Sequence, residues 1–454
     1  MQRSGEQLRG DGMTIWRAGV EAVDPRRLVR QALCVEGGDV IVGEERIRLD
    51  QIGRIAVVGA GKAGAGMAAA VEEVLGPERM ERKRLAGWVN VPEDTLRPLS
   101  HIRLHGARPA AVNEPTAAGV AGTVEILKIV ASLQPQDLCL CLISGGGSAL
   151  MPSPAEGITL ADKLAVTRHL SGAGANIEEL NVVRKQLSRV KGGGLARACR
   201  AGRLISLIIS DVLGDPLEVI ASGPTVADSS TPRQALSVLE QYHAREAGIA
   251  DRVFDFLRNK GDQAASKPTA RVSNLIIGNN ATAVDAAGEE AVRLGYSPAM
   301  ISARRSEGPA EEVGRHLAAM ALAMRSQPGP DCLISGGEPV VRLVGEERRG
   351  RGGRNQQLAL AALADLQDDG AAGIALIAGG TDGEDGPTDA AGARFDGEIV
   401  SDARARGLQP GDHLSRNDAY HFFEPLNALI KTGPTGTNVC DLRIVLVDRV
   451  EHPI

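Results

Sequence analysis

Five glycine-dense stretches constrain this chain more than any other feature. They read VVGAGKAGAG (57–66), LISGGGSAL (142–150), LISGGEPVV (333–341), GRGGRNQ (350–356) and IAGGTDGEDGPTD (377–389). Glycine lets the backbone take positive φ and come close to an anion, and successive N–H groups then form a concave nest for phosphate oxygens. All but the arginine-bearing stretch sit where an apolar run ends. Open α/β sheets bind ligands outside the carboxyl ends of their strands, so the pattern predicts strand–loop–helix units with an anion site at the loop end.

Apolar residues make up 43% of the chain but aromatic ones only 2%, so the cores are built from Ala, Val, Leu and Ile. That composition suits helices packed on a parallel sheet. Strands are predicted at 54–58, 85–91, 102–105, 137–144 and 203–210, then at 274–280, 298–302, 331–337, 339–344, 373–380 and 441–447, mostly with helical stretches between. At 454 residues the chain exceeds one core, and two domains are expected. Residues 1–12 read as disordered, 13–245 as the first α/β domain and 246–454 as the second, with 222–262 a connection and the final segment able to pack back on the first domain. The hexapeptide CLISGG occurs at Cys141 and again at Cys332.

A net charge of −6 argues against a nucleic-acid binder, which would show a basic face. No apolar stretch reaches the roughly 18 residues of a membrane span, and the N-terminus lacks a signal-type apolar region, so a cytoplasmic protein is expected. The six cysteines, Cys34, Cys139, Cys141, Cys199, Cys332 and Cys440, lack the paired spacing of a metal site and read as buried thiols of a reducing compartment.

The loops carry chemistry-bearing side chains. Gly59, Gly61 and Gly64 match the GxGxxG dinucleotide fingerprint, but the second strand offers Asn90 where the acidic partner should stand, with Glu93 and Asp94 only after Pro92, and Lys62 occupies the tight part of the loop. A lysine before a helix opposes the macrodipole unless an anion is near. The loop Ser144, Gly145, Gly146, Gly147, Ser148 offers backbone N–H groups and two hydroxyls, and Lys185 and Lys191 follow it on a basic helical stretch. Asp211 and Asp215, just beyond a buried strand, stand where a metal ligand or general base belongs. Glu338, Asp382, Asp385 and Asp389 form a second acidic set. Arg351 and Arg354 supply planar guanidinium groups suited to phosphate or carboxylate. Together these point to phosphoryl transfer assisted by Mg²⁺.

These segments, with NVVRKQLSRVKGGGLA, SDVLGDPLEVIASGPT and TGPTGTNV, resemble the glycerate 2-kinase family with its C-terminal MOFRL domain, from about Ile15 to Val447. The resemblance implies two Rossmann-like α/β/α domains with mostly parallel sheets and an interdomain cleft. It also implies ATP-dependent phosphorylation of D-glycerate at the 2-hydroxyl, by a monomer or homodimer. Lys62 and Arg354 are then the catalytic basic pair; Asp211 is one candidate base, and the choice among the carboxylates stays open. Gly59, Gly61, Ser144, Gly145, Gly146, Gly147, Ser148, Lys185, Lys191, Asn280, Glu338, Arg351 and Asn355 would line the nucleotide and substrate, and Asp211, Asp382 and Asp389 would hold Mg²⁺. Two rival readings are an NAD(P)H-dependent hydroxypyruvate reductase, for which the acidic partner is missing, and a non-catalytic sensor of nucleotides or sugar phosphates.

Overall fold

A computed structural model describes residues 3–109, 114–261, 266–366 and 370–449. The chain begins with helix α1 (Gly5–Ala22), capped by Ser4, whose hydroxyl accepts the N–H of Gln7. Residues 5–12, expected to be disordered, are thus helical. Leu8, Ile15 and Trp16 form a fully buried stripe, and Gly12 and Gly19 let the helix lie flush on its neighbours. A Cβ at Gly12 would stand 2.2 Å from Ile377, and one at Gly19 would stand 2.7 Å from the Ala283 carbonyl.

The chain divides into two units, Pro25–Ile277 and a discontinuous one made of the first 24 residues with Gly278 onward. The expected break at 245/246 falls too early. Within the first unit come helix α2 (Pro25–Ala32) and a small antiparallel sheet of β1 (Leu33–Glu36), β2 (Asp39–Val42) and β3 (Glu45–Arg48). The main sheet contains β4 (Ile55–Ala60), β5 (Ala86–Pro92), β6 (Ile102–Arg108), β7 (Leu138–Ile143), β8 (Arg203–Ile209) and β9 (Arg271–Gly278), in the order β6-β5-β4-β7-β8-β9. Strands β4 to β8 pair in parallel. The central strands β4 and β7 are buried at every position, which their unbroken apolar runs foretell. Helix α3 (Gly64–Arg82) follows β4, and α4 (Ala117–Ala131) packs through Ile126 and Val130 against Ala56 and Val58. After β7 come α5 (Gly147–Leu150), α6 (Leu160–Gly172), α7 (Ile177–Gln186) and α8 (Gly194–Ala198). The segment read as a connection with two short helical patterns does form two helices, α9 (Pro232–Gln241) and α10 (Asp251–Lys260), and these share a core with α6 and α7 around Leu170, Val183, Leu239 and Phe254. Strand β9, expected to open the second domain, closes the edge of the first sheet.

The second unit contains α11 (Asn280–Arg293), β10 (Pro298–Ser302), α12 (Ala310–Ser326), β11 (Cys332–Gly337), α13 (Arg354–Leu366), β12 (Ile374–Gly380), β13 (Gly392–Asp396), β14 (Leu429–Ile430) and β15 (Asp441–Val447), with short helices between β13 and β14. Its sheet runs β10-β11-β15-β12-β13-β14, and only β10 and β11 pair in parallel. The α/β reading holds, but β15 inserts in reverse between β11 and β12, and β13 returns from β12 without a helix between, so this sheet is mixed. The last strand therefore builds the centre of its own unit's sheet, not a return to the first domain. Helices α1 and α11 cover one face through Ile334, Ile377 and Ile444; α12 and α13 cover the other through Leu376, Phe395 and Val445. Residues 339–344, expected as a strand, make a single bridge from Val340 to Pro309, with Val340 and Leu343 exposed. Five of the six cysteines are buried. Among the described residues no helix is long and apolar enough to cross a membrane.

Candidate functional site

The first unit joins two of the glycine loops. At the end of β4, Gly61 N–H donates to the Asn90 carbonyl (3.2 Å), Lys62 N–H to the Gly145 carbonyl (2.8 Å), Ala63 N–H to Ser144 Oγ (3.0 Å) and Gly64 N–H to the Gly61 carbonyl (3.1 Å). The amides of Gly61, Lys62, Ala63 and Gly64 are thus all used inside the protein. Gly59 and Gly61, expected at the nucleotide, are explained by packing. A Cβ at Gly59 would lie 2.1 Å from the Leu142 carbonyl, and one at Gly61 would lie 2.0 Å from Ser144 Oγ. Asn90 is fully buried and tied to the Leu150 carbonyl (2.8 Å), which closes the place where a dinucleotide ribose would be read.

The β7 loop is different. The N–H groups of Gly145 and Gly146 meet no backbone acceptor among the described residues, and Gly146 takes φ +76°. Cations surround it. A Cβ at Gly146 would stand 3.2 Å from Arg108 Nη2 and 3.6 Å from Lys62 Cγ, and one at Gly145 would stand 2.4 Å from Asp211 Oδ2. Lys191, after α7, donates from Nζ to the Ser148 carbonyl (3.0 Å) and hydroxyl (2.5 Å), and Arg184 of α7 donates to the same hydroxyl. Ser222 Oγ lies 3.1 Å from Ser148 Oγ and donates to Asn181. Burial, aided by the charges of Arg184 and Lys163, lowers the pKa of Lys191 well below the usual lysine range. Lys185 instead faces Asp228 at 3.5 Å.

In the second unit Arg354, the first residue of α13, is clamped. Its Nε and Nη2 donate to the two oxygens of Asp441 (2.8 and 3.0 Å), and Nη1 donates to Glu338 (2.8 Å). Burial works against the guanidinium, but Asp441 and Glu338 more than offset it and hold the pKa above the usual arginine value. The compensating anions at this helix start are therefore the protein's own. A guanidinium has five N–H donors, so two remain for another ligand. Asp441, missed in the sequence, has a fully buried side chain. Asp385 accepts the N–H groups of Asn355 (3.0 Å) and Gln356 (2.9 Å) and so caps α13. Burial pushes its carboxyl up to about 7 against that donation.

Several residues expected at the ligand make contacts within the protein. Asn280 is buried and ties the sheet together, donating to the Val439 and Asp441 carbonyls at 2.9 Å. Asn355 is buried beneath Asp385. Arg351 is exposed, lies over the Tyr420 ring at 4.7 Å and donates to the Pro387 carbonyl. Asp389 pairs with Lys431 at 3.0 Å and accepts the Tyr420 hydroxyl. Asp382 Oδ1 accepts the Glu384 N–H within its turn (3.2 Å). Sequence patterns could not reveal the Asp441 clamp, which joins residues far apart in the chain.

A glycine loop beside Arg108, Lys191 and the Asp211 carboxylate, at the end of an open parallel sheet, places the chain among α/β enzymes. Residues 11–258 match a domain of unknown function, DUF4147, and residues 331–441 match the MOFRL family. The chain is 37% identical over 448 residues to a D-glycerate 2-kinase of Thermotoga maritima, covering 97% of this chain and 99% of that one. It is 40% identical over 402 residues to an Agrobacterium vitis protein named as a hydroxypyruvate reductase (87% and 100% covered). A glycerate kinase crystal structure from T. maritima superposes with a TM-score of 0.83 at 36% identity, covering 97% of this chain and all of that one. The chain belongs to the glycerate kinase family.

Proposed function

We propose that this chain transfers the γ-phosphoryl group of ATP to the 2-hydroxyl of D-glycerate, giving 2-phospho-D-glycerate and ADP. The observation that carries the reading is the Ser144–Ser148 loop, whose glycine amides and hydroxyls lie among Lys62, Arg108, Arg184 and Lys191. The name of the T. maritima relative supplies the substrate. Phosphoryl transfer asks the protein for positioning and charge stabilisation more than covalent chemistry. Lys62 neutralises charge on the transferring phosphoryl group or the substrate carboxylate, and the two remaining donors of Arg354 stabilise the transition state. The clamp of Asp441 and Glu338 keeps that guanidinium in one orientation, and Asp211 is the candidate base. We place the protein in the cytoplasm, as a monomer or homodimer.

Among the described residues no group of three or more His, Cys, Asp or Glu side chains is arranged to hold a metal. Mg²⁺ needs only one or two carboxylates when substrate phosphates complete its shell, and Asp211 against Gly145 fits that role, with Asp382 a second candidate. Asp389, engaged by Lys431 and Tyr420, does not. When bound, the ion neutralises phosphate oxygens. EDTA is expected to abolish turnover and added Mg²⁺ to restore it; undiminished turnover in EDTA overturns the metal role.

The reductase reading is opposed by the consumed amides of the β4 turn and the locked Asn90. The decisive experiment incubates the protein with ATP, Mg²⁺ and D-glycerate and identifies the product by phosphorus NMR. 3-Phosphoglycerate overturns the regiochemistry. Untouched ATP, or a rate that depends on NADH with hydroxypyruvate, overturns the kinase reading.

A further inference from the structure

Arg184 and Lys191 both donate to Ser148 Oγ, and a third cation, Lys163 of α6, lies close enough for its charge to act with theirs. Lys163 is 7% exposed and Lys191 4%. The Lys163 ammonium has no solvent contact and no hydrogen-bond partner among the described residues. Its helix neighbour Asp162 is turned to Arg252 at 2.7 Å. None of the three cations has a carboxylate partner among the described residues, in contrast to Arg354. Burying charge without compensation is costly, and a folded protein keeps such groups only when something offsets them.

We propose that Lys163, Arg184 and Lys191 form a pocket that receives the phosphoryl oxygens of the bound nucleotide. The proposal rests on the kinase reading. A phosphoryl group, with several non-bridging oxygens and up to two charges, matches three cations better than a singly charged carboxylate. Ser148, which accepts from both Arg184 and Lys191, belongs to the glycine loop itself. Burial, with the Arg184 charge added, lowers the Lys163 ammonium to about 7. An arriving anion favours the charged form, so binding near neutral pH draws a proton onto Lys163. Arg184 keeps its charge as a guanidinium, and burial holds Lys191, like Lys163, below the usual lysine range.

The test is calorimetric binding of the β,γ-imido analogue of ATP with Mg²⁺ to the full chain, in two buffers of different ionisation enthalpy. At pH 8 the wild type is expected to take up a proton that it does not take up at pH 6. Lys163→Met should bind the analogue about tenfold or more weakly, at least ~1.4 kcal/mol, and lose most of that uptake. Its ligand-free melting temperature should be unchanged or raised. Lys163→Arg should retain most of the affinity but not the uptake, and it carries the test if the Met variant does not fold. Wild-type affinity in Lys163→Met, or unchanged uptake in either variant, overturns the pocket. So does weakened D-glycerate binding with nucleotide binding intact. If the analogue behaves as expected but D-glycerate is not phosphorylated, the pocket stands and the substrate reading falls.

Discussion

Cys141–Gly146 and Cys332–Gly337 are the same six residues with different fates. In the first copy the strand stops at Ile143 between parallel neighbours, and Ser144-Gly145-Gly146 becomes an open loop among Lys62, Arg108 and Asp211. In the second the strand continues through Gly337, because antiparallel β15 pairs along its whole length. Its glycines are filled from outside: a Cβ at Gly336 would stand 1.8 Å from Asn280 Oδ1, and one at Gly337 equally close to Glu307 Oε2. One copy presents backbone to a ligand and the other admits the protein's own side chains. The charges follow the same division, with Arg184 and Lys191, which have no carboxylate partner among the described residues, beside the first copy and an arginine held by Glu338 and Asp441 just past the second.

The largest effect separates the two catalytic candidates. Lys62→Met and Arg354→Met should each lower turnover by roughly 10³ or more, the scale of a transition-state cation. Only Arg354→Met should also lower the melting temperature, because it leaves the wholly buried Asp441 carboxylate unpaired. The loss is about 2 kcal/mol, below the full value for a buried pair because the guanidinium is partly exposed. Adding Asp441→Asn should recover the melting temperature but not the turnover. An Arg354→Met protein that melts like wild type breaks the distinction.

Next come the matched glycines. Gly336→Ala should destabilise by about 1–3 kcal/mol, measured in urea, since Asn280 must move and give up its ties to Val439 and Asp441. Gly145→Ala displaces only the Asp211 carboxylate, so turnover should fall with little change in the urea midpoint. The opposite pattern would assign the open role to the second copy.

The smallest effect concerns Asp385. Its folded-state pKa is raised to about 7, so its carboxyl favours the folded state most below pH 4, and that contribution is lost as pH rises through 7. The stability of wild type relative to Asp385→Asn should therefore fall between pH 4 and pH 8. A pH-independent difference in urea midpoints would show that the carboxylate is fully accommodated by the α13 amides.

Much of the first sheet was legible because unbroken apolar runs such as LCLCLI can only be buried strands. Strand sense in the second unit was not, since nothing in DLRIVLV records that β15 runs in reverse. Strand β9 was misassigned because its sequence resembles the start of any α/β repeat. The glycine loops were found, but not which glycines serve a ligand: Gly59 and Gly145 look alike until the Leu142 carbonyl is placed over one of them. Lys163 reads as an ordinary helix-surface lysine and is buried only because α6 packs in its own helical core. Helix α1 was not foreseen over residues 5–12 because Gly10 and Gly12 dilute its apolar stripe.

That first helix has a consequence for synthesis. Leu8, Ile15 and Trp16 belong on a sheet whose central strand, Asp441–Val447, is translated long after the helix. At ordinary elongation rates the helix leaves the ribosome on the order of half a minute before its seat exists. In the meantime the inserted unit, Pro25–Ile277, can complete its own fold. A nascent chain must therefore keep an apolar helix from the wrong partner while it waits, which makes α1 the natural place for a chaperone to hold.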